Sequence, residues 1–334
     1  MYRDRKQLYE ELGKRRESHV IAYVTGDRPG LETQIHPEVY DLFVRHLDTI
    51  GVTRKLSLFL YTRGGVTLAA WTLVNLIRQF CDEFEVIVPS KAHSAGTLIC
   101  LGADTIVMTK QATLGPIDPS INTPLNPQVP GGPPQAKIPV SVEAINGFID
   151  LAKIELGMRR AQETTEVLKA LADKIHPLVL GEAYRARSQI KMLARRLVSK
   201  QMKGKTQIDN VISFLCSESG SHDYTIHRRE ARDVLGLTVE KPDAALYELV
   251  KATFGDVEQE LELTSKYDAG IIIGANPQAN YRFTRGLIES VKGGSHFFVS
   301  EGTLSRVAIP LPNNMQQQGV QDMRTFEGWR HSNA

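Results

Sequence analysis

The run Ala92-His93-Ser94-Ala95-Gly96-Thr97 decides the fold. It follows Glu85 to Val88, an apolar stretch that reads as a strand, and opens Ala95 to Ala103, a small-residue stretch that reads as a helix. A serine between strand and helix sits on a sharp turn, with its hydroxyl beside the free N–H groups of the helix start. Such donors stabilise an oxyanion when a carbonyl is attacked. Ala95 and Gly96 add too little side chain to keep a substrate backbone away. One strand upstream, Lys55 to Tyr61 (KLSLFLY) runs into Thr62-Arg63-Gly64-Gly65. There a glycine pair can present a second N–H with no Cβ in the way.

Each piece also has a plainer reading. A serine at a helix start is more often only an N-cap, and a glycine pair after a strand is more often only a turn. The GxSxxG elbow of many hydrolases is absent around Ser94. The order and spacing of the two pieces on alternating strands favour the chemical reading.

The neighbouring segments continue the pattern. His19 to Thr25 (HVIAYVT) reads as a strand, Pro37 to Ile50 as an amphipathic helix, Thr67 to Phe80 as a helix and Thr105 to Met108 as a fourth strand. Strands alternating with crossover-length helices predict an α/β fold with a parallel sheet covered by helices. Asn122 to Pro139 holds six prolines and a Gly-Gly pair, the composition of a surface loop. Helix dominates from Ser141 to about Met202. Ala269 to Ile273 reads as a strand, and Phe283–Ser290 with His296–Val299, separated by Gly293-Gly294, as a hairpin. The polar tail from Pro312 is expected to be mobile.

Composition is that of an ordinary globular chain: 334 residues, 42% hydrophobic, 23% charged, net charge +2. A balance so near neutral gives no argument for nucleic acid or an anionic membrane. Cys81, Cys100 and Cys216 show neither disulfide nor zinc spacing and read as buried small hydrophobes. The charged start, Met1-Tyr2-Arg3-Asp4-Arg5-Lys6, is not followed by a secretory apolar core, and no run approaches a membrane span. The expectation is a soluble, cytoplasmic chain that meets a membrane only through a partner.

Three stretches carry a resemblance to a known family. They are Thr62-Arg63-Gly64-Gly65, then Ser94 to Ile99 through Gly102-Ala103-Asp104, then Ile106-Val107-Met108 through Ala112 to Pro119 (ATLGPIDP). The combination resembles the serine dehydrogenase proteinase family, of the Clp peptidase and signal peptide peptidase A clan, over roughly residues 5–240. That resemblance implies a ClpP/crotonase-like α/β fold with a helical segment and a C-terminal β extension. It implies Ser94 as nucleophile of a serine peptidase and the backbone N–H groups of Gly65, beside Gly64, and of Ala95 as the oxyanion hole. It implies no metal or organic cofactor.

The general base departs from the Clp pattern. Clp peptidases carry a histidine about a helix and a strand after the nucleophile, where this chain has Gly115-Pro116-Ile117-Asp118-Pro119. Signal-peptide-peptidase-like relatives use a lysine in a loop before a helix, which points to Lys137. A lysine base needs a lowered pKa, and its plainer reading is a solvated loop lysine. His222 competes: an imidazole suits the task untuned, with Asp223 or Glu218 to orient it, though a structural turn histidine is as common. His93, Lys91 and Asp118 rank below these, Asp118 as a residue that fixes its loop.

The implied organisation is a peptidase domain over 1–240, an extension over 241–311 and a tail over 312–334. The segment Glu182 to Lys205 has eight basic residues and one acid. Its apolar stripe, Tyr184, Ile190, Leu193, Leu197 and Met202, favours a helix over a nucleic-acid site, and clan members assemble through a long helix there. The partners expected are a peptide or protein substrate and copies of the chain itself; a partner ATPase is left open. Two rival readings share the fold: a catalytically degenerate peptide-binding scaffold, and an acyl-CoA enzyme holding a thioester enolate on the same two N–H groups.

Overall fold

In the computed structural model, which describes residues 2–133, 135–310 and 316–332, the chain divides into two units. The first comprises Met1–Leu114 and His227–Ala334, the second Gly115–Ile226. Everything from His227 onward groups with the N-terminal strands, and the lines expected at 240 and 311 fall inside the first unit.

The first unit begins with α1 (Tyr2–Arg16), β1 (His19–Thr25), α2 (Tyr40–Ile50), β2 (Thr53–Tyr61) and α3 (Thr67–Ile77). It continues with β3 (Cys81–Val88), β4 (Lys91–Ala92), α4 (Ala95–Leu101), β5 (Thr105–Met108) and β6 (Thr113–Leu114). The second unit holds β7 (Ser120–Ile121), β8 (Val140–Ser141), α5 (Val142–Asp150), α6 (Ala161–Ala172), α7 (Pro177–Val198) and α8 (Lys205–Ser213). After β9 (Ile226–His227), the first unit resumes with α9 (Arg228–Asp233), β10 (Val239–Glu240), α10 (Ala244–Glu260) and α11 (Ala269–Ile273). It ends in β11 (Gln278–Ser290), β12 (Gly294–Pro310) and β13 (Gln316–Ser332).

One eight-stranded sheet organises the first unit, in the order β10-β5-β3-β2-β1-β11-β12-β13. From β10 to β1 every neighbour is parallel; β11, β12 and β13 then add antiparallel. This is the mixed α/β architecture expected, and β1 shows why the sequence gives it. Val20 to Val24 are all buried, as are Leu56 and Leu58–Leu60 of β2 and Val86–Val88 of β3. A continuous apolar run suits a strand covered on both faces, the condition of a parallel sheet. Charge enters this core only in compensated form. Glu85 of β3 is fully buried; burial alone would raise its carboxyl, but hydrogen bonds and charge from Arg16, Ser57 and Lys55 hold it below the usual carboxylate range. Likewise Arg5 of α1 is bound at 2.9 and 2.7 Å by Glu289 of β11, pinning the first helix to a strand near the other end of the chain.

Two expectations fail here. Ala269–Ile273 is helix, not strand. The Asp268 side chain accepts the N–H groups of Gly270 and Ile271 at 2.8 and 3.2 Å, a helix cap that overrides the strand preference of three isoleucines. The tail from Pro312 was expected to be mobile, yet Gln316–Ser332 is a strand paired along its length with β12; residues 312–315 and 333–334 lie outside the described residues. Its polar side chains find partners across the ladder: Arg330 with Glu301 at 2.7 Å, Glu327 with Arg285 at 2.7 Å, and Trp329 edge-on to Phe298.

In the second unit the proline-rich stretch is a closed ribbon. Val129 N–H donates to Ala136 C=O at 3.0 Å and Ile138 N–H to Pro127 C=O at 2.8 Å. Asn126, buried, donates to the carbonyls of Ile121 and Ile138 and accepts from Thr123, so one side chain fastens both ends of the loop. Apolar residues of α5 and α7, among them Ile145, Val179 and Ala183, pack with Ile121 and Val140 in this unit's core.

A histidine chain ties α2 to the C-terminal strands. His46 Nε2 lies 2.9 Å from His296 Nδ1, His46 Nδ1 lies 2.7 Å from Ser290 Oγ, and the His296 ring meets His331 at 4.4 Å. Burial pushes His46 down to about 3, reinforced by His296 and His331. It pushes His296 down to about 4, reinforced by His331 and Arg45. Both folded values lie below the unfolded value near 6.5, so the unfolded chain binds the protons. Stability is therefore full above about pH 6.5 and falls as the pH drops toward about 4. At pH 5 the loss from His46 is about 2 kcal/mol, and His296 acts in the same direction. Thermal midpoints measured from pH 7.5 to 5 should fall steeply in the wild type and distinctly less in a His46→Asn/His296→Asn variant; parallel slopes would exclude these imidazoles as the cause.

Candidate active site

Three chain segments are stitched together at the carboxyl ends of β1, β2 and β4. Thr62 N–H donates to Lys91 C=O and His93 N–H to Thr62 C=O, both at 3.1 Å. Ile35 N–H donates to Gly64 C=O and Val66 N–H to Ile35 C=O, both at 2.8 Å. Thr62 Oγ1, buried, takes bonds from Thr25 Oγ1 at 2.7 Å and from Gly64 N–H at 3.0 Å.

The glycines make this junction possible. A Cβ on Gly65 would fall 2.3 Å from Ile35 O, and one on Gly64 would fall 2.8 Å from the Ser94 Cβ. Their φ values, 147° and 120°, lie where side chains are strained in any case. A Cβ on Gly96 would meet the Thr62 methyl at 2.4 Å, so the first turn of α4 rests directly on the end of β2. The run SAGT is thus small for a packing reason as well as a chemical one.

Ser94 stands at this junction with φ 51° and ψ −114°, one of three non-glycine residues with positive φ among the described residues. Such a conformation costs on the order of 1–3 kcal/mol and persists only where the surroundings enforce it. The enforcing bonds are Gly96 N–H to His93 C=O at 2.8 Å and Leu98 N–H to Ser94 C=O at 3.1 Å, with Thr97 Oγ1 donating to Ala92 C=O at 2.8 Å. The side chain of Ser94 caps nothing in α4, which sets aside the N-cap reading. Among the described residues the N–H groups of Gly65 and Ala95, which flank Gly64 and Ser94, take part in no hydrogen bond. The arrangement offers a half-buried hydroxyl beside unengaged backbone donors, the components of acyl transfer.

His93 Nε2 lies 2.9 Å from Thr113 Oγ1. Lys91 is paired with Asp27 at 2.7 Å, and Tyr61 donates to the same carboxylate at 2.7 Å. Ser94, Gly64, Gly65 and Ala95 all belong to the first unit, whereas Lys137 and His222 belong to the second. Lys137, half-buried, sits on the ribbon of the proline-rich loop, bridged to Gln128. His222 Nδ1 lies 2.8 Å from Asp118 Oδ1, and that carboxylate is buried. The carboxylate that His222 meets is therefore that of Asp118, expected only to fix its loop, and not that of Asp223 or Glu218. Asp223 engages Ser221 Oγ through its backbone N–H, and Glu218 accepts from Ser213 Oγ at 2.6 Å. No sequence signal links Asp118 to a histidine 104 positions away. Near them, burial raises the Glu143 carboxyl, and the Arg187 guanidinium opposes that rise.

The three cysteines are free and buried, and burial raises all three thiols, Cys81 to about 11 and Cys216 to about 12. They are not nucleophiles near neutral pH. Among the described residues no cluster of His, Cys, Asp or Glu is disposed to hold a metal ion, and no helix is long and apolar enough to cross a membrane.

The sheet and the strained serine turn define a mixed α/β protein with a backbone-enforced serine. Residues 1–129 match the family of ClpP-like SDH-type serine proteinases, the family that the TRGG and SAGT motifs resemble. An uncharacterized protein of Methanocaldococcus jannaschii is 27% identical over 242 residues, covering 71% of this chain and 73% of that protein. A second from the same organism is 39% identical over 131 residues; the chain spans 44% of its length, and the match takes in 36% of the chain. Among solved structures, a serine-to-alanine mutant of the 1510-N membrane-bound stomatin-specific protease is similar at 24% identity and TM-score 0.26. It covers 40% of this chain and 64% of its own. A lysine-to-alanine mutant of that protease with a substrate peptide stands at 25% and 0.26, covering 40% and 61%. A ClpP1 mutant from Listeria monocytogenes stands at 15% and 0.36, covering 70% and 99%.

Strain at Ser94 has a direct test. Ser94→Gly removes the positive-φ penalty and adds about 0.5–1 kcal/mol of unfolded-chain entropy, a net gain of about 1 kcal/mol. Its thermal midpoint should rise by roughly 2 °C, while Ser94→Ala, which keeps the Cβ, should match the wild type. Equal midpoints for the two variants would show an unstrained turn.

Proposed function

We propose that the chain is a serine peptidase that hydrolyses peptide bonds through an acyl-enzyme on Ser94. The observation that carries this reading is the enforced positive φ of Ser94, pressed against Gly64 with the Gly65 and Ala95 N–H groups unengaged. A side chain held in that conformation with no structural bond to make is difficult to explain as packing alone.

In the proposed reaction the Ser94 hydroxyl attacks the scissile carbonyl. The carbonyl π pair moves onto oxygen, which the Gly65 and Ala95 N–H groups receive. The serine proton passes to a base and from there to the leaving amine; water then cleaves the ester by the same steps in reverse. The candidate bases are Lys137 and His222. His222 has the better preparation: a bond from Nδ1–H to the buried Asp118 carboxylate makes Nε2 the basic nitrogen and stabilises the imidazolium. Peptide or protein substrates and assembly with copies of itself follow from the family likeness. No observation favours the scaffold or the thioester reading.

A fluorophosphonate probe should label the wild type at Ser94 and leave Ser94→Ala unlabelled, and peptide cleavage should be lost in that variant. His222→Ala should lower kcat/KM by about 10² to 10⁴ and Lys137→Ala by less than about tenfold. The wild-type profile of kcat/KM should rise with pH as the base loses its proton, and His222→Ala should flatten that rise. Cleavage that survives Ser94→Ala unchanged would overturn the proposal. A reversed order of the two base variants would transfer the role to Lys137.

A further inference from the structure

The long edge of the large sheet is β13, seventeen residues with no strand on its outer side among the described residues; the opposite edge, β10, is two residues long. Proteins protect such edges with charges, lysine above all, with proline, bulges or brevity, since a row of unpaired N–H and C=O groups templates another strand; the one bulge of β13, at Thr325, leaves Gln316–Arg324 straight. β13 contains neither lysine nor proline. Its side chains from Gln317 to Arg324 are exposed apart from the half-buried Gly319, and they include the apolar Val320 and Met323.

The inner neighbour gives out as well. The β11–β12 ladder starts at Gln278 opposite Ser305, so the rungs from Val307–Gly319 to Pro310–Gln316 form a ribbon of only two strands. A two-stranded ribbon is marginal by itself in water; three or more strands are needed for independent stability. A further strand on the outer side of β13 would supply the third member that such a ribbon needs.

We propose that β13 pairs antiparallel with β13 of a second copy of this chain, about a two-fold axis through Val320. A two-fold normal to the sheet keeps each residue on its own face, so opposed residues must have the same parity. The straight part of the strand is Gln316–Arg324, since Thr325 is an extra residue: Gly302 opposes Arg324 and Glu301 opposes Phe326. The register that uses this whole stretch is centred on Val320. It sets Val320 against its own copy, Gly319 against Gln321, Gln318 against Asp322 and Gln317 against Met323. No like charges meet. The only carboxylate in the stretch faces a glutamine amide that can donate to it, and the β-branched side chain lies on the axis, where cross-strand contact rewards it. The marginal ribbon becomes the middle of a four-stranded sheet, β12-β13 of one copy and β13-β12 of the other. This surface is distinct from α7, and the proposal holds whether or not Ser94 is a nucleophile.

The test is sedimentation velocity together with cysteine cross-linking of the full chain. The wild type should sediment as a dimer, and Val320→Lys, which puts two ammonium groups on the axis, should weaken the dimer roughly tenfold or more. Val320→Cys should form a covalent dimer under mild oxidation, because opposed Cα atoms in an antiparallel pair are about 4.5–5.5 Å apart. Asp322→Cys should not, because that residue and its copy stand four positions out of register, about 14 Å apart. The three native cysteines are buried and supply the background measured in the wild type. A monomeric wild type, no cross-link at Val320→Cys, or equal cross-linking at Asp322→Cys would each overturn the proposal. The cross-links do not depend on how well Val320→Lys folds.

Discussion

Everything chemical in this molecule depends on one backbone contact, the approach of Gly64-Gly65 to Ile35 on one side and to Ser94 on the other. The hydrogen bonds of Ile35, Thr62, Gly64, Val66 and His93 close only because no Cβ intervenes. Ser94 is then held in a conformation its own residue type disfavours. A buried threonine hydroxyl, bound to Thr25 and Gly64, anchors the crossing from below. The parallel sheet supplies the rigid platform, and the strain is the residue left over when three strand ends must meet at one point.

Because that contact is local in the sheet and made of small residues, it was legible in the sequence. Gly64-Gly65 and Ser94-Ala95-Gly96 are uncommon combinations on adjacent strand ends, and their backbone demands are written in residue type. The continuous apolar runs of β1, β2 and β3 were legible for the same reason: burial on both faces leaves a pattern that needs no partner to be recognised.

What the sequence hid were relations between distant side chains. Asp118 reads as one acid in a turn, and only the fold brings His222 to it. Asn126 looks like any loop asparagine, yet it fastens both ends of the proline-rich ribbon. The polar run of β13 looked mobile because its partners, Arg285 and Glu301, sit on strands whose register no local pattern specifies. The isoleucines of α11 pointed to a strand until a single aspartate cap decided otherwise. In each case a polar group overrode or completed a pattern that hydrophobicity had drawn.

The interrupted course of the first unit bears on how the protein is made. β1 takes β11 as its antiparallel neighbour, across more than two hundred intervening residues, among them the whole of the second unit. During synthesis β1 leaves the ribosome on the order of tens of seconds before β11. For that interval the flank of the parallel sheet is open, and Arg5 lacks the buried carboxylate of Glu289 that will receive it. The second unit, contiguous in sequence, can close in the meantime. Until β11 emerges, β1 presents an unpaired edge on which a chaperone, or a strand from a neighbouring chain, can act.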